Sequence, residues 1–225
     1  MRKIIITGSE GLIGSELCKY FEKENNVLRL DLKLGDDLTD EKFVKKWFKN
    51  NHASYLINCF ALNDHVDKST KNKNTLFDFS LESFSKYFQI NLLSLFSVCR
   101  EFAKNNNNSS IVNFSSTYGM TSPNPILYNN SHKDIGYCVS KAGVVNMTKY
   151  LSIHLAPKIR VNCVIPGGVK HNQSSDFVKK YSKLTPMKRM MKKNELNGLI
   201  DYLCSSNSSY VTGSSFVVDG GYLSW

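Results

Sequence analysis

The chain opens on an unbroken β-branched run, Lys3 to Thr7, that passes directly into glycines at positions 8, 11 and 14 in "KIIITGSEGLIG". A continuous apolar run of this kind is a strand covered on both faces, the signature of a parallel sheet. Leu12, Ile13, Leu17, Tyr20 and Phe21 follow at helical spacing. A strand, a glycine turn and a helix in this order let the backbone approach a pyrophosphate, whose charge then rests on the helix N-terminus. In this reading Gly8 makes the tight turn, Gly11 allows close approach and Gly14 allows close helix–sheet packing. Three glycines alone are weak evidence; the strand before and the helix after are what the motif requires.

The rest of the chain repeats the alternation. "VLRLD" is a second strand, ending on Asp31, and "TDEKFVKKWFKNN" a helix with Thr39 as its N-cap. "SYLINCFA" is a third strand and a long helix is expected from about Ser80 to Lys104. "SIVNFSS" is a fourth strand, 117–135 is loop, and "GYCVSKAGVVNMTKYLSIHLA" is a long helix. "IRVNCVIPGG" is a strand stopped by Pro166. A variable stretch, a helix around 193–204 and a last strand in "SSFVVDGG" complete it. Strands alternating with helices imply right-handed βαβ units. The expected fold is α/β: one doubly wound Rossmann-type domain over residues 1–225, its parallel sheet flanked by helices, without linkers or repeats.

Composition narrows the function classes. The 29 Lys and Arg against 19 Asp and Glu give a net charge of +10. The cations are dispersed, and clusters such as "MKRMMKK" are short, so a solvated surface is favoured over nucleic-acid binding. The six cysteines form no CxxC, and no zinc spacing appears, so no metal is expected. Several lie in apolar runs as small buried hydrophobes. No stretch approaches the roughly 18 apolar residues of a membrane span, and "MRKIIITG" is too short for a signal peptide. The expectation is a cytoplasmic protein with no membrane partner.

Two positions carry chemistry. Asp31 ends the second strand 17 residues past Gly14, where a carboxylate accepts hydrogen bonds from an adenosine ribose and repels a 2′-phosphate. That favours NAD over NADP, although nearby Lys33 works against the preference. Tyr137 and Lys141 stand at i and i+4 of a predicted helix and so share a face. Of the eleven tyrosines, only Tyr137 has Lys four residues later. With "NFSS" before them and "IRVNCVIPGG" after, these segments resemble the short-chain dehydrogenase/reductase family from Lys3 to "VVDGG". Five segments recur in family order: glycine loop, Asn-bearing helix, Ser strand, Tyr-x-x-x-Lys helix and Pro-Gly strand.

The resemblance implies roles by position. Tyr137 would be the general acid/base. Lys141 would lower the phenol's pKa from its ordinary value near ~10 and hold the nicotinamide ribose. Ser116, three residues before Gly119, would hydrogen-bond the substrate oxygen, and Asn91 would hold a water in the proton relay. Gly8, Glu10, Gly11, Leu12, Ile13, Asn58 and Ala61 would meet the cofactor. Asp37 and Leu38 would flank adenine, and Pro166, Gly167 and Val169 would face the nicotinamide carboxamide. The family also implies a homodimer or homotetramer through the two long helices.

Four features depart from the family pattern. The glycines are spaced T-G-x-x-G-x-x-G, as in the larger sugar-nucleotide-modifying members. "NCFA" stands where N-N-A-G is usual, the Asp31–Asp37 connection is short, and the Thr after the Pro-Gly turn is missing. The 21 residues from Ser116 to Tyr137 are more than most members have. Loops 117–136 and 170–186 would cover the substrate, the second as a lid. Tyr118, Tyr128, His132 and Lys133 are candidates to line the site or are ordinary surface residues. Polar, basic loops suit a hydrophilic, sugar-like substrate, and the pattern resembles the branch found with surface-sugar and flagellin modification. The expected activity is NAD(H)-dependent interconversion of a secondary alcohol and a ketone, class EC 1.1.1.-. The alternatives are a sugar-nucleotide epimerase or dehydratase, which the 84 residues after Lys141 argue against, and a non-catalytic dinucleotide-binding protein.

Overall fold

Each of the six apolar segments forms a strand: β1 (Lys3–Thr7), β2 (Asn26–Leu30), β3 (Tyr55–Asn58), β4 (Ser109–Phe114), β5 (Ile159–Pro166) and β6 (Ser215–Val218). The computed structural model describes residues 1–63, 76–128 and 132–225; Asn129, Asn130 and Ser131 of the expected substrate insert lie outside them. All pairings are parallel, in the order β2-β1-β3-β4-β5-β6. The strand order reverses between β1 and β3. In open α/β sheets a ligand crevice lies at such a switch point, outside the C-terminal strand ends.

The β-branched runs are explained by what covers the sheet. Ile5, Leu56, Ile111, Cys163 and Ile165 face one core with helices α2 (Glu41–Asn50), α4 (Leu95–Asn105) and α5 (Ile135–Leu155). Ile4, Ile6, Ile57, Val112 and Val164 face the other with α1 (Leu12–Phe21) and α7 (Asn197–Leu203). Alternate residues of one strand therefore enter opposite cores, so none can be polar without a partner. Burying each such Ile or Leu fully is worth roughly 1.5–3 kcal/mol.

The structure differs from the sequence expectation in four places. Asp40, not Thr39, caps α2 by accepting the Lys42 N–H, because Thr39 is taken up by the Asp37 carboxylate. The long helix expected from Ser80 divides into α3 (Leu81–Phe88), a π turn at Gln89–Ser94 and α4. The segment read as a lid contains α6 (Ser175–Leu184), capped by Ser174. The helix around 193–204 begins as a 3-10 turn, Lys193–Leu196, before α7. Among the described residues no helix is long and apolar enough to cross a membrane.

Candidate active site

The glycine turn follows β1 at the switch point. Gly8 has φ +67°, in the left-handed region, and a Cβ there would collide with the Phe60 backbone just after β3. A Cβ on Gly14 would collide with the Gly8 carbonyl. Gly14 thus packs on the loop rather than on the sheet as expected. Gly11 N-caps α1, with no side chain bonded to the first-turn N–H groups. A cleft of about 650 Å³ opens here, lined by Glu10, Gly11, Leu12 and Ser15 and by a cationic rim that includes Lys33, Lys170 and Lys192. An uncapped helix N-terminus within a cationic rim fits the pyrophosphate of a dinucleotide. Ile13 packs instead on the α1-side core.

Asp31 stands at the end of β2 beside this turn. Its Oδ2 accepts the Glu10 N–H at 3.0 Å and its Oδ1 accepts the Lys33 N–H at 2.9 Å. The carboxylate therefore locks the glycine turn to the β2 end while each oxygen keeps a second lone pair. The Lys33 ammonium lies 3.4 Å from the Glu10 carbonyl oxygen, placing a cation at the same corner. The Asp37 carboxylate is exposed and accepts both the N–H and the hydroxyl of Thr39. Leu38 is buried in the core against α2.

Asn58 is 2% exposed, and its side chain points into the protein. Its amide donates to Asn113 Oδ1 at 2.9 Å and accepts the Thr7 hydroxyl at 3.0 Å, and Asn113 donates onward to Thr148. This buried network joins β1, β3, β4 and α5 beneath the crevice. Only the backbone at Asn58 is left to meet a ligand. Ala61 is exposed, three residues further on.

The remaining residues gather at the C-terminal end of β4 and the start of α5. Asp134 caps α5 through the Gly136 N–H and accepts the Ser83 hydroxyl, fixing the helix start against α3. Tyr137 is buried, one ring face 4.6 Å from the Lys133 ammonium and its edge against Tyr87. Burial pushes its phenol up to about 12, and the nearby Ser116 hydroxyl draws it back. Ser115 is turned away, donating to the Lys141 carbonyl at 2.7 Å. The serine loop sits so close to α5 that a Cβ on Gly119 would lie 2.7 Å from the Lys141 carbonyl carbon.

Lys141 is 5% exposed and donates to the Phe114 carbonyl at 2.9 Å, with its ammonium 5.9 Å from the Tyr137 ring centre. Desolvation pushes it down to about 8. Asn91 lies in the π turn with both amide hydrogens and one acceptor position of its side chain in use. Its Oδ1 accepts the Leu62 N–H at 2.7 Å, and its Nδ2 donates to the Leu62 carbonyl and to Ser140. Asn91 thereby pins the loop after β3 to α5.

On the far side, Pro166 ends β5, and the Gly167 N–H donates to the Val218 carbonyl at 2.8 Å. Val169 pairs with Met191 in an isolated parallel bridge. Tyr118 and Tyr128 of the insert share a 2.7 Å hydroxyl hydrogen bond. His132 is exposed, and Lys133 donates to Asn63 at 2.6 Å. Ser140, Tyr87 and Tyr181 escaped the sequence reading. Only Tyr181 had a local signal, the Phe177–Tyr181 spacing of one helical turn. Among the described residues no group of three or more His, Cys, Asp or Glu could hold a metal.

The chain is similar to known proteins in sequence and in overall fold. Residues 17–223 match the family described as enoyl-(acyl carrier protein) reductase. The chain is 29% identical over 220 residues to post-translational flagellin modification protein A of Campylobacter coli, covering 94% of this chain and 83% of that protein. It is 30% identical over 240 residues to a 3-oxoacyl-(acyl carrier protein) reductase of Rickettsia bellii, covering 97% and 95%. A crystal structure of a short chain dehydrogenase from Leptospira borgpetersenii with bound NAD+ superposes with a TM-score of 0.83 at 31% identity, covering 98% and 92%.

Proposed function

The chain belongs to the short-chain dehydrogenase/reductase family of oxidoreductases, and from that premise we propose that it interconverts a secondary alcohol and a ketone on a polar, sugar-like small molecule with NAD(H). The observation that carries this reading is the buried Tyr137 phenol on α5, one helical turn from the buried Lys141 and influenced by the Ser116 hydroxyl at the end of β4. A bound nicotinamide cofactor supplies the hydride acceptor or donor.

The chain's own residues do the rest. The glycine turn and the N-terminus of α1 hold the dinucleotide pyrophosphate. Asp31 is free to accept from ribose hydroxyls through its remaining lone pairs, which favours NAD, and its charge disfavours a 2′-phosphate. At neutral pH the Tyr137 phenol is protonated, so in ketone reduction it donates its proton to the carbonyl oxygen as hydride arrives at carbon. In alcohol oxidation the phenolate takes the hydroxyl proton. Ser116 orients the reacting oxygen through its hydroxyl. Lys141 would hold the nicotinamide ribose and stabilise the developing phenolate with its charge.

The polar loops 117–136 and 170–186, together with similarity to a flagellin modification protein, support a sugar-like substrate. Six free cysteines suit a reducing cytoplasm. Tyr150 and Ile153 on α5, 60% and 74% exposed, and Leu93 and Phe96 at the π turn and α4 support self-association through these helices. The test is Tyr137→Phe, assayed with NADH and a panel of ketoses, polyols and hydroxy acids. NADH binding should persist while turnover falls on the order of 10²–10⁴-fold. Turnover at the wild-type rate overturns the assignment.

A further inference from the structure

The segment Gly167–Lys170, which this reading places against the nicotinamide, is gripped from two sides. On one side the Met191 N–H donates to the Gly168 carbonyl at 3.0 Å and the Lys170 N–H to the Met191 carbonyl at 2.9 Å. On the other, the Gly168 N–H donates to the Tyr181 hydroxyl at 2.6 Å. Tyr181 comes from α6, the helix inside the segment read as a lid.

The contact is built into the sequence on both partners. A Cβ on Gly168 would lie 2.8 Å from Tyr181 Cζ, and one on Gly167 would lie 3.0 Å from the Tyr181 hydroxyl. Two consecutive glycines therefore let a ring lie directly on the loop backbone. The ring itself is 3% exposed, stacked on Tyr222 at 5.2 Å and beside Phe177 at 6.1 Å. The Thr185 hydroxyl donates to the Tyr181 carbonyl at 2.9 Å, holding the end of α6. Tyr128 of the long insert in turn lies 6.0 Å from Phe177, in the same cluster as Tyr222. One aromatic cluster thus joins α6, the insert and the chain's C-terminal segment, and it is the Tyr181 hydroxyl that is seated on the loop after β5.

We propose that Tyr181 is a positioning residue for the nicotinamide end of the cofactor: its hydroxyl fixes Gly168 and, through it, Val169, so that α6 and the loop after β5 form one body. The inference rests on the cofactor reading of the site. It couples two functions, since whatever a substrate does to α6 is transmitted to the loop that orients the hydride-bearing ring. Removing the hydroxyl takes away the partner of the part-buried Gly168 N–H without emptying the ring's space, which loosens the loop.

The experiment compares binding of NADH and of ADP-ribose, which lacks nicotinamide, to wild type, Tyr181→Phe and Tyr222→Phe. Tyr181→Phe should weaken NADH by up to about tenfold and leave ADP-ribose unchanged, the loss expected for one hydrogen bond to a part-buried donor. Tyr222→Phe, which removes a hydroxyl of the same cluster away from the loop, should change neither. Unchanged NADH binding by Tyr181→Phe overturns the proposal, as does an equal loss of both ligands or the same selective loss in Tyr222→Phe. If wild-type protein binds neither ligand, the cofactor reading falls and this inference with it. Wild-type binding with no selective effect defeats this inference alone.

Discussion

Lys141 donates to the carbonyl oxygen of Phe114 at 2.9 Å, tying the middle of α5 to the last residue of β4. The bond holds the ammonium 5.9 Å from the Tyr137 ring centre and in doing so buries its charge.

That burial has a stability consequence with a definite sign. Desolvation lowers the folded Lys141 pKa from 10.5 to about 8. Between those values the unfolded chain keeps a proton that the folded chain has lost, so this residue's contribution to stability improves as pH rises through the window. Below pH 8 the full penalty of the buried charge applies, on the order of 3 kcal/mol at most. Lys141→Met should therefore raise the melting temperature at pH 7, with a gain of about 1–3 kcal/mol that shrinks by pH 10, while turnover falls. Thermal melts of both proteins at pH 7, 8.5 and 10 isolate the difference from other titrating groups. A variant less stable than wild type at every pH contradicts the account.

Ser116 controls the phenol in the opposite direction. Its hydroxyl opposes the upward push of burial on Tyr137. Reduction needs the protonated phenol and should hold steady through neutral pH, whereas oxidation needs the phenolate and should climb as pH rises. Ser116→Ala should move that climb to higher pH and slow the reaction on the order of 10²-fold or more. Profiles of kcat/KM against pH, taken in both directions, check this; an unmoved basic limb means Ser116 does not set the phenol.

Two glycine substitutions should behave in opposite ways. Gly14→Ala drives a Cβ into the Gly8 backbone, so it should distort the turn and abolish NADH binding. A methyl group on Gly198, within α7, would meet nothing within 4 Å. Gly198→Ala should stabilise the fold by about 0.5–1 kcal/mol through helix propensity alone, with NADH affinity unchanged. Denaturant melts and NADH titration of both variants read the two effects. Normal NADH binding by Gly14→Ala refutes the close-packing argument.

Local chemistry made much of this protein legible before folding was considered. The strands were readable because a sheet covered on both faces leaves no polar alternation, as Ile4, Ile5 and Ile6 show by entering alternate cores. Gly8, Asp31 and the Tyr137–Lys141 spacing were readable because each depends on backbone conformation or on one helical turn. Other features depend on residues distant in the chain. Asn58 looked available to a ligand but is committed to Thr7 and Asn113, 51 and 55 positions away. Asn91 is committed to Leu62 and Ser140, and Tyr181 to Gly168. The order of amino acids alone set the alternation of strands and helices and which residue types stand at the crevice. Which polar groups stay free to work there was left to the folded arrangement, because a hydrogen-bonding side chain is committed by whichever partner folding brings within about 3 Å.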